Sequence, residues 1–320
     1  MSQFASGLAL LRRRSDLLAR GLLAAPTILW LAGLLVVPCL LVLMNSFFER
    51  GTYGGIDYTF TFDNYARAFD PLYLDIFLGS ARIAATAAII AVLIGYPAAY
   101  AISQAPAARQ PVYLVLVMLP FWSNYLIRTY AWMVMLNPKG IFNNGLDAAG
   151  LGTLPLLYNE LAVILGLVYN YSPFVVLAIF SALGRVDNEV VEASADLGAS
   201  GFDTFRRVLL PLTVPGIATG FVFVFVLSIG NFVTPALLGG KRVQMVGSLI
   251  YDQFLSARDW PFGSALAVVL IAIMMILLFA QALLSRRIET GGERAAGDAS
   301  AAALRGGRRT RGSVGDGATS

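Results

Sequence analysis

The side chains that most often carry catalysis or bind metals are scarce in this sequence. The chain has no histidine and a single cysteine, Cys39, which lies inside a long apolar stretch. Zinc sites, Ser-His-Asp triads and Cys-His dyads are therefore excluded, and we expect Cys39 to be a small buried hydrophobe. No Walker A pattern occurs, since Gly240-Lys241 lacks both the upstream glycine and the following Ser or Thr. The sequence predicts a protein that is not an enzyme, with no catalytic residues, no metal site and no cofactor of its own.

The most informative polar residues form one segment, 192–211, between two long apolar stretches. It reads Glu-Ala-Ser-Ala-Asp-Leu-Gly-Ala-Ser-Gly-Phe-Asp-Thr-Phe-Arg-Arg-Val-Leu-Leu-Pro. Just upstream, Asp187 is suited to cap a helix, and Gly198 is suited to end it. Ser200 and Asp203 have the spacing of a capping box, which predicts a second short helix. We therefore expect a helix, a glycine hinge and a second helix in this segment.

A second group of residues places aromatic rings, amides and one guanidinium inside the apolar stretches. Ring faces attract cations by about 0.5–2 kcal/mol, so these residues are candidates to line a solute pathway. The alternative is that they belong to interfacial belts or to core packing. The candidates are Trp122, Asn124, Tyr125, Arg128, Tyr169, Asn170, Tyr171 and Asn231.

Arg128 is the one charge well inside an apolar stretch. A charge at the membrane centre costs about 2.5–3.5 kcal/mol on an insertion scale, so this guanidinium needs a partner or water. Three roles stay open: it lines the cavity or an outer gate, it bonds carbonyls freed by Pro120, or it reaches outward to the membrane surface. Because a cation there would repel a cationic solute, we expect no direct contact between Arg128 and such a substrate. Arg82, near the end of another stretch, is expected to reach outward.

The composition is that of a polytopic membrane protein. Hydrophobic residues make up 58% of the 320 residues, charged residues only 13%, and the mean hydropathy is +0.71. A spanning helix needs about 20 mostly apolar residues. The qualifying stretches are 22–44, 78–101, 112–136, 160–184, 212–238 and 263–284. They are too long for barrel strands and do not alternate, so the predicted fold class is all-α, with six transmembrane helices in a lipid bilayer.

The distribution of Lys and Arg predicts the orientation. Four segments on one side of the bilayer (1–21, 102–111, 185–211 and the tail 285–320) hold 15 of the 23 basic residues. This bias places both termini in the cytoplasm and needs no nucleic-acid partner to explain it. The tail has almost no large apolar side chains, so we expect it to be disordered. The outer loop at 45–77 is rich in aromatic residues and predicts a short element on the membrane surface.

Small residues and prolines mark several of the spans. Small side chains on one face let helix backbones approach closely, and they recur at Ala87, Ala91, Gly95 and Ala99 and again at Gly216 and Gly220. Each proline inside a span removes a backbone hydrogen bond and can bend the helix. For any one of them, the ordinary proline content of membrane helices is the simpler interpretation.

The polar segment resembles the signature loop of the membrane subunits of binding-protein-dependent ABC importers. That family's pattern is Glu-Ala-Ala, three residues, Gly, nine residues, Ile, one residue, Leu-Pro, and every spacing is present here. The matching residues are Glu192, Ala193, Ser194, Gly198, Val208, Leu210 and Pro211. The resemblance implies a MetI-like type I importer permease fold, with a transmembrane domain over 22–284, a core at about 75–284 and a location in the bacterial inner membrane.

The resemblance also implies the partners. The loop would couple the permease to an ABC ATPase dimer, which binds ATP and Mg²⁺ in its own chains. A second homologous permease subunit would complete the pathway, and a periplasmic solute-binding protein would deliver the solute. Substitutions such as Gly198→Asp or Glu192→Lys are then expected to leave the protein in the membrane but to uncouple transport.

Three further stretches are similar to the first permease of spermidine/putrescine importers: 119–132, 231–240 and 253–265. They imply a polyamine substrate, although relatives with these motifs also serve iron or other small solutes. Asn231 stands where some relatives carry an acid, which bears on the charge of the substrate. An ion-coupled secondary transporter is an alternative from another class, and it would need ionisable residues near the middle of the membrane.

Overall fold

The computed structural model describes residues 25–283, which are helical apart from one two-stranded hairpin. The predicted terminal segments, 1–21 and 285–320, lie outside these residues. The elements are α1 (Ala25–Asn45), β1 (Phe48–Arg50), β2 (Ile56–Phe60), α2 (Asp63–Ala68), α3 (Pro71–Ser103), α4 (Gln110–Met118), α5 (Tyr125–Leu136), α6 (Ile141–Ala148), α7 (Glu160–Leu183), α8 (Asn188–Asp196), α9 (Gly201–Thr204), α10 (Leu210–Ile229), α11 (Val246–Leu255) and α12 (Trp260–Leu283).

Five of the described helices are long and apolar enough to cross a membrane. A sixth span results if the sharply bent helix pair Gln110–Trp122 and Tyr125–Ala148 is counted as one span. The first, second, fourth and sixth predicted spans correspond to α1, α3, α7 and α12. The described chain divides into two compact units. Residues 25–73 and 250–269 form the first unit, and residues 74–249 and 270–283 form the second.

The first unit begins with α1, whose apolar stretch is not buried at all. Cys39 lies on α1 and is exposed, so the prediction that it is buried is wrong. The β1–β2 hairpin follows, with Phe48 opposite Phe60 and a register shift after Phe48. The Asn64 side-chain amide of α2 donates to the carbonyls of Ser46 (3.1 Å) and Phe48 (2.8 Å). The segment after α1 is therefore a hairpin with a short helix attached to it.

An ion pair organises the rest of the first unit. Arg67 on α2 donates to Asp259 at 2.9 Å, and the Asp259 side chain is only 2% exposed. The other carboxylate oxygen accepts from the backbone N–H of Phe262, which caps the start of α12. The Arg67 guanidinium lies 3.8 Å from the centre of the Phe262 ring. Asp259 and Phe262, both in the 253–265 stretch, therefore have a structural role in this unit.

The second unit is built around close packing of α3, α7 and α10. A Cβ at Gly95 on α3 would lie 2.9 Å from the side chain of Val175 on α7. A Cβ at Gly220 on α10 would lie 3.2 Å from the Val175 backbone. The predicted close approach is thus confirmed at both glycines, to a side chain of α7 at Gly95 and to the α7 backbone at Gly220. At the edge of this unit the exposed Arg82 donates to Glu160 at 2.7 Å.

One predicted span is broken in two. Helix α4 continues as a 3₁₀ turn, Leu119–Trp122, after which Ser123 takes an extended conformation. Asn124 then caps α5 by accepting from the N–H groups of Leu126 and Ile127. The two halves are bent by 82°. The prediction of one uninterrupted helix over 112–136 is therefore wrong, although the two halves can together count as one span. Pro120 is followed by an extended residue and a new helix cap, whereas α3, α7 and α10 run through Pro97, Pro173 and Pro215.

The fifth predicted span, 212–238, is displaced along the chain. The helix that crosses there runs over Gly201–Ile229, starting inside the polar segment. At its end the backbone turns, and Asn231 accepts the N–H of Thr234 at 2.9 Å, which starts a separate π turn at Pro235–Gly239. Apolar composition continues across this turn, which is why hydropathy alone extended the span too far.

Candidate functional site

The polar segment folds as two short helices, with α8 starting as predicted. The Asp187 carboxylate accepts from the N–H of Glu189 at 3.1 Å and caps the first turn. At the other end α8 finishes at Asp196. The prediction of a helix here is confirmed.

Gly198 forms the hinge after α8. Its φ is +80°, and no atom lies within 4 Å of the position that a Cβ would take. The N–H of Gly198 donates to Ala195 (2.9 Å), and the N–H of Ala199 donates to Ser194 (3.1 Å), the paired bonds of a Schellman motif. Glycine is therefore required by the left-handed backbone and not by lack of space.

A capping box starts α9. The N–H of Asp203 donates to Ser200 Oγ at 3.2 Å, and the Ser200 hydroxyl donates to Asp203 Oδ2 at 2.6 Å. The predicted second helix is present, but it is not a separate short helix. It passes through a π turn, Phe205–Leu209, directly into α10. The wider turn makes room for the proline ring, which in a regular helix clashes with the carbonyl four residues earlier.

A hydroxyl pair joins the two short helices. Ser194 Oγ donates to the Val191 carbonyl at 2.7 Å, which uses its only hydrogen. Thr204 Oγ1, 2.8 Å away, therefore donates to Ser194 Oγ, and both residues are buried. The family pattern places alanine where Ser194 stands, and an alanine could not form this bond. Sequence reasoning missed Thr204, although the capping box at Ser200 set the phase of its helix.

The remaining pattern residues divide between surface and core. Glu192, Ala193 and Pro211 are exposed, whereas Val208 and Leu210 are half-buried. On either side of the hinge, Leu197 is 89% exposed and Phe202 is 70% exposed. Behind the loop lies a cavity of about 450 Å³ whose lining includes Tyr100, Gln110 and Thr204. The loop thus presents two large apolar side chains and a carboxylate on its outer surface.

Three of the predicted pathway residues meet in one cluster. The buried Asn231 amide donates to the Tyr171 hydroxyl at 2.6 Å and also to the Tyr125 hydroxyl. Its oxygen accepts from the Thr234 N–H, and the Tyr125 hydroxyl also bonds the Thr234 hydroxyl. Both donors of the amide are in use, so the cluster is uncharged and internally bonded. Thr234 was not predicted; its position three residues after Asn231 was the available signal.

Arg128 lies beside this cluster and turns back toward the break in its span. Its side chain is 8% exposed, and Nη1 donates to the Pro120 carbonyl at 3.1 Å. The guanidinium carbon lies 5.2 Å from the centre of the Phe121 ring and 5.8 Å from that of Tyr125. Of the three roles left open, a bond to a backbone carbonyl is the one the structure shows, although the acceptor is the carbonyl of Pro120 itself and not one freed by its missing N–H. The outward-reaching alternative is wrong, because the break supplies an acceptor inside the protein.

The other predicted pathway residues do not join the cluster. Trp122 is 75% exposed, and the Asn124 side chain is occupied as the cap of α5. Tyr169 packs edge-on against Trp132 at 5.4 Å and lines an apolar cavity of about 340 Å³. Asn170 is fully buried, and neither polar atom of its side chain has a hydrogen-bond partner among residues 25–283.

Comparison with known proteins gives a consistent result. A family model described as "Binding-protein-dependent transport system inner membrane component" matches residues 7–290. The spermidine/putrescine transport system permease protein PotB of Haemophilus influenzae is 42% identical over 266 residues, covering 81% of this chain and 93% of PotB. PotB of Escherichia coli K12 is 37% identical, covering 81% and 97%.

Solved structures show the same fold at low sequence identity. A chain of a bacterial alginate ABC transporter, in complex with an alginate pentasaccharide-bound periplasmic protein, has a TM-score of 0.70 at 19% identity and covers 86% of this chain. A chain of the inward-facing MetNI methionine ABC transporter has a TM-score of 0.52 at 18% identity and covers 68%. The fold is that of MetI-type ABC importer permeases.

Proposed function

The chain belongs to the family of binding-protein-dependent transport system inner membrane components, and from that premise we propose that it is the permease subunit of an ABC importer for polyamines such as spermidine and putrescine. The observation that supports a polyamine substrate is the 42% identity to a spermidine/putrescine permease over 93% of that protein. The family itself makes the chain a transport protein of the inner membrane.

The cluster in the second unit supports a cationic solute. It offers the ring faces of Tyr125 and Tyr171, whose centres are 6.5 Å apart, and hydroxyl oxygens that accept hydrogen bonds. Asn231 supplies an amide in place of an acid. A flexible cation that must be released into the cytoplasm is better served by such weak neutral contacts than by a buried carboxylate, which would hold it tightly.

The loop of α8 and α9 is proposed to receive the force of an ABC ATPase dimer. The supporting observations are the exposed Glu192, Leu197 and Phe202 on a segment with its own caps and hinge. ATP and Mg²⁺ would be bound by the ATPase subunits. A second, homologous permease would complete the pathway, a periplasmic solute-binding protein would deliver the polyamine, and both termini of this chain would lie in the cytoplasm.

The test is transport by the whole assembly. We would reconstitute the chain with its ATPase, second permease and binding protein in vesicles and measure ATP-dependent uptake of labelled spermidine and putrescine beside an iron complex. Polyamine uptake that requires both ATP and the binding protein is expected. Uptake of the iron complex without polyamine uptake would leave the importer intact but contradict the substrate, and uptake driven by an ion gradient without ATP would contradict the class.

A further inference from the structure

The broken span contains a small group of neutral atoms whose chemistry suits a cation. The Pro120 carbonyl lies near the C-terminal end of the first half and accepts from the Ser123 hydroxyl at 2.7 Å and from Arg128 at 3.1 Å. The rings of Phe121 and Tyr125 face the same guanidinium. Carbonyls at helix C-termini and aromatic faces both favour positive charge. Two independent kinds of contact therefore converge on one cationic group.

The way Arg128 is held is unusual for a structural arginine. The ion pairs among the described residues do not include it. Its Nε is buried and has no hydrogen-bond partner among residues 25–283. A buried guanidinium that serves only stability is normally paired and fully hydrogen-bonded, since an unmet donor costs free energy. The contacts that do hold Arg128 would serve any other cation equally well.

We propose that the Pro120 carbonyl and the Phe121 and Tyr125 rings form a binding site for one ammonium group of the transported amine, and that Arg128 occupies this site as a tethered competitor. This inference rests on the proposed function. A primary ammonium brings the same charge and the same kind of N–H donor to the carbonyl. Because guanidinium and substrate exclude each other, this conformation is closed to the amine, and the site becomes available when Arg128 moves away.

The repulsion expected between Arg128 and a cationic solute is compatible with this proposal. Arg128 marks the place where the substrate cation binds in another step of the cycle. Direct contact between the two cations is not required, because they use the site in turn.

Removal of the competitor is the first test. The assembled transporter, in lipid nanodiscs without the binding protein, would be titrated with labelled spermidine. Arg128→Gln is expected to bind spermidine about tenfold more tightly than the wild type. Arg128→Lys, which keeps a cation, should bind like the wild type. Arg82→Gln is the matched control, because it removes an exposed arginine that is paired with Glu160. An assembled Arg128→Gln transporter with no gain in binding overturns the proposal.

A second variant tests the ring face in a background where no guanidinium competes for it. Phe121→Leu keeps an apolar side chain against Phe174, whose ring lies 5.1 Å away, but removes the ring face. Combined with Arg128→Gln, or with Arg128→Met if the glutamine variant does not assemble, it is expected to weaken spermidine binding about threefold or more relative to the single variant, with recovery in Phe121→Tyr. Unchanged binding overturns the proposal. A wild-type transporter that takes up no polyamine would instead contradict the proposed function.

Discussion

The polar loop of α8 and α9 and the cluster around Asn231 are built in opposite ways. In the loop, the bonds that set the shape join residues 2, 3 and 10 positions apart. In the cluster, Asn231 bonds residues 60 and 106 positions away, on α7 and α5. The loop therefore keeps its shape when it moves as a body, whereas the cluster exists only while three parts of the fold hold one arrangement. These two kinds of construction suit the roles proposed above, a loop that transmits force and a pathway that changes during transport.

The largest effect on stability is expected from breaking the long-range cluster. Asn231→Ala would leave the buried Thr234 N–H without its acceptor and the half-buried Tyr171 hydroxyl without its donor, at a cost of about 1–3 kcal/mol. The thermal unfolding temperature of the detergent-solubilised transporter should fall clearly. Asn144→Ala is the control, because that amide is exposed and its bond, to the Lys139 carbonyl, is local. Equal unfolding temperatures for the two variants would contradict the description of the cluster as a packing-dependent unit.

A smaller effect, concentrated on coupling, is expected at the hinge. Gly198→Ala must hold a non-glycine residue at φ +80°, at a cost of about 1–2 kcal/mol. Gly201→Ala is the matched control, because a Cβ there also meets open space but φ is not in the left-handed region. ATP-dependent uptake should fall several-fold in the first variant and stay near wild type in the second, with equal amounts of protein in the membrane. Similar uptake by both would show that the hinge geometry does not matter for coupling.

The smallest effect is expected from the hydroxyl pair inside the loop. Ser194→Ala and Thr204→Val each remove one partner, and a double-mutant cycle should give an interaction of about 0.5–1.5 kcal/mol. The measurement is the unfolding temperature of the four transporters. Strict additivity would mean that the two short helices are held together by other contacts, and would weaken the view of the loop as one body.

The same difference between local and long-range bonds explains what could be predicted. Asp187, Gly198 and Ser200 were identified as caps and hinge because each acts on backbone groups within a few residues. The break at Pro120 was not singled out among the prolines, because its outcome depends on Ser123 and on the capping preference of Asn124. Hydropathy located the spans but not their ends, since an apolar turn and an apolar helix have the same composition.

The cluster lay beyond prediction for a different reason. The sequence nominated Tyr125, Tyr171 and Asn231 separately, but nothing local says that α5 and α7 bring these two hydroxyl groups to one amide. Trp122 and Tyr169, nominated on the same chemical grounds, lie elsewhere in the second unit. Chemical type thus selects candidates, and only packing decides which of them meet.

The unbroken run of helix from Gly201 to Ile229 has a mechanical consequence. Its 29 residues correspond to a rod about 43 Å long. A lever of that length converts a tilt of about 10° at one end into a displacement of about 7 Å at the other. Because α9 is the first turn of this rod, a displacement of the loop can reach the residues just before Asn231 without a flexible joint. If the helix bends, the π turn at Phe205–Leu209 is the place where we expect it to bend.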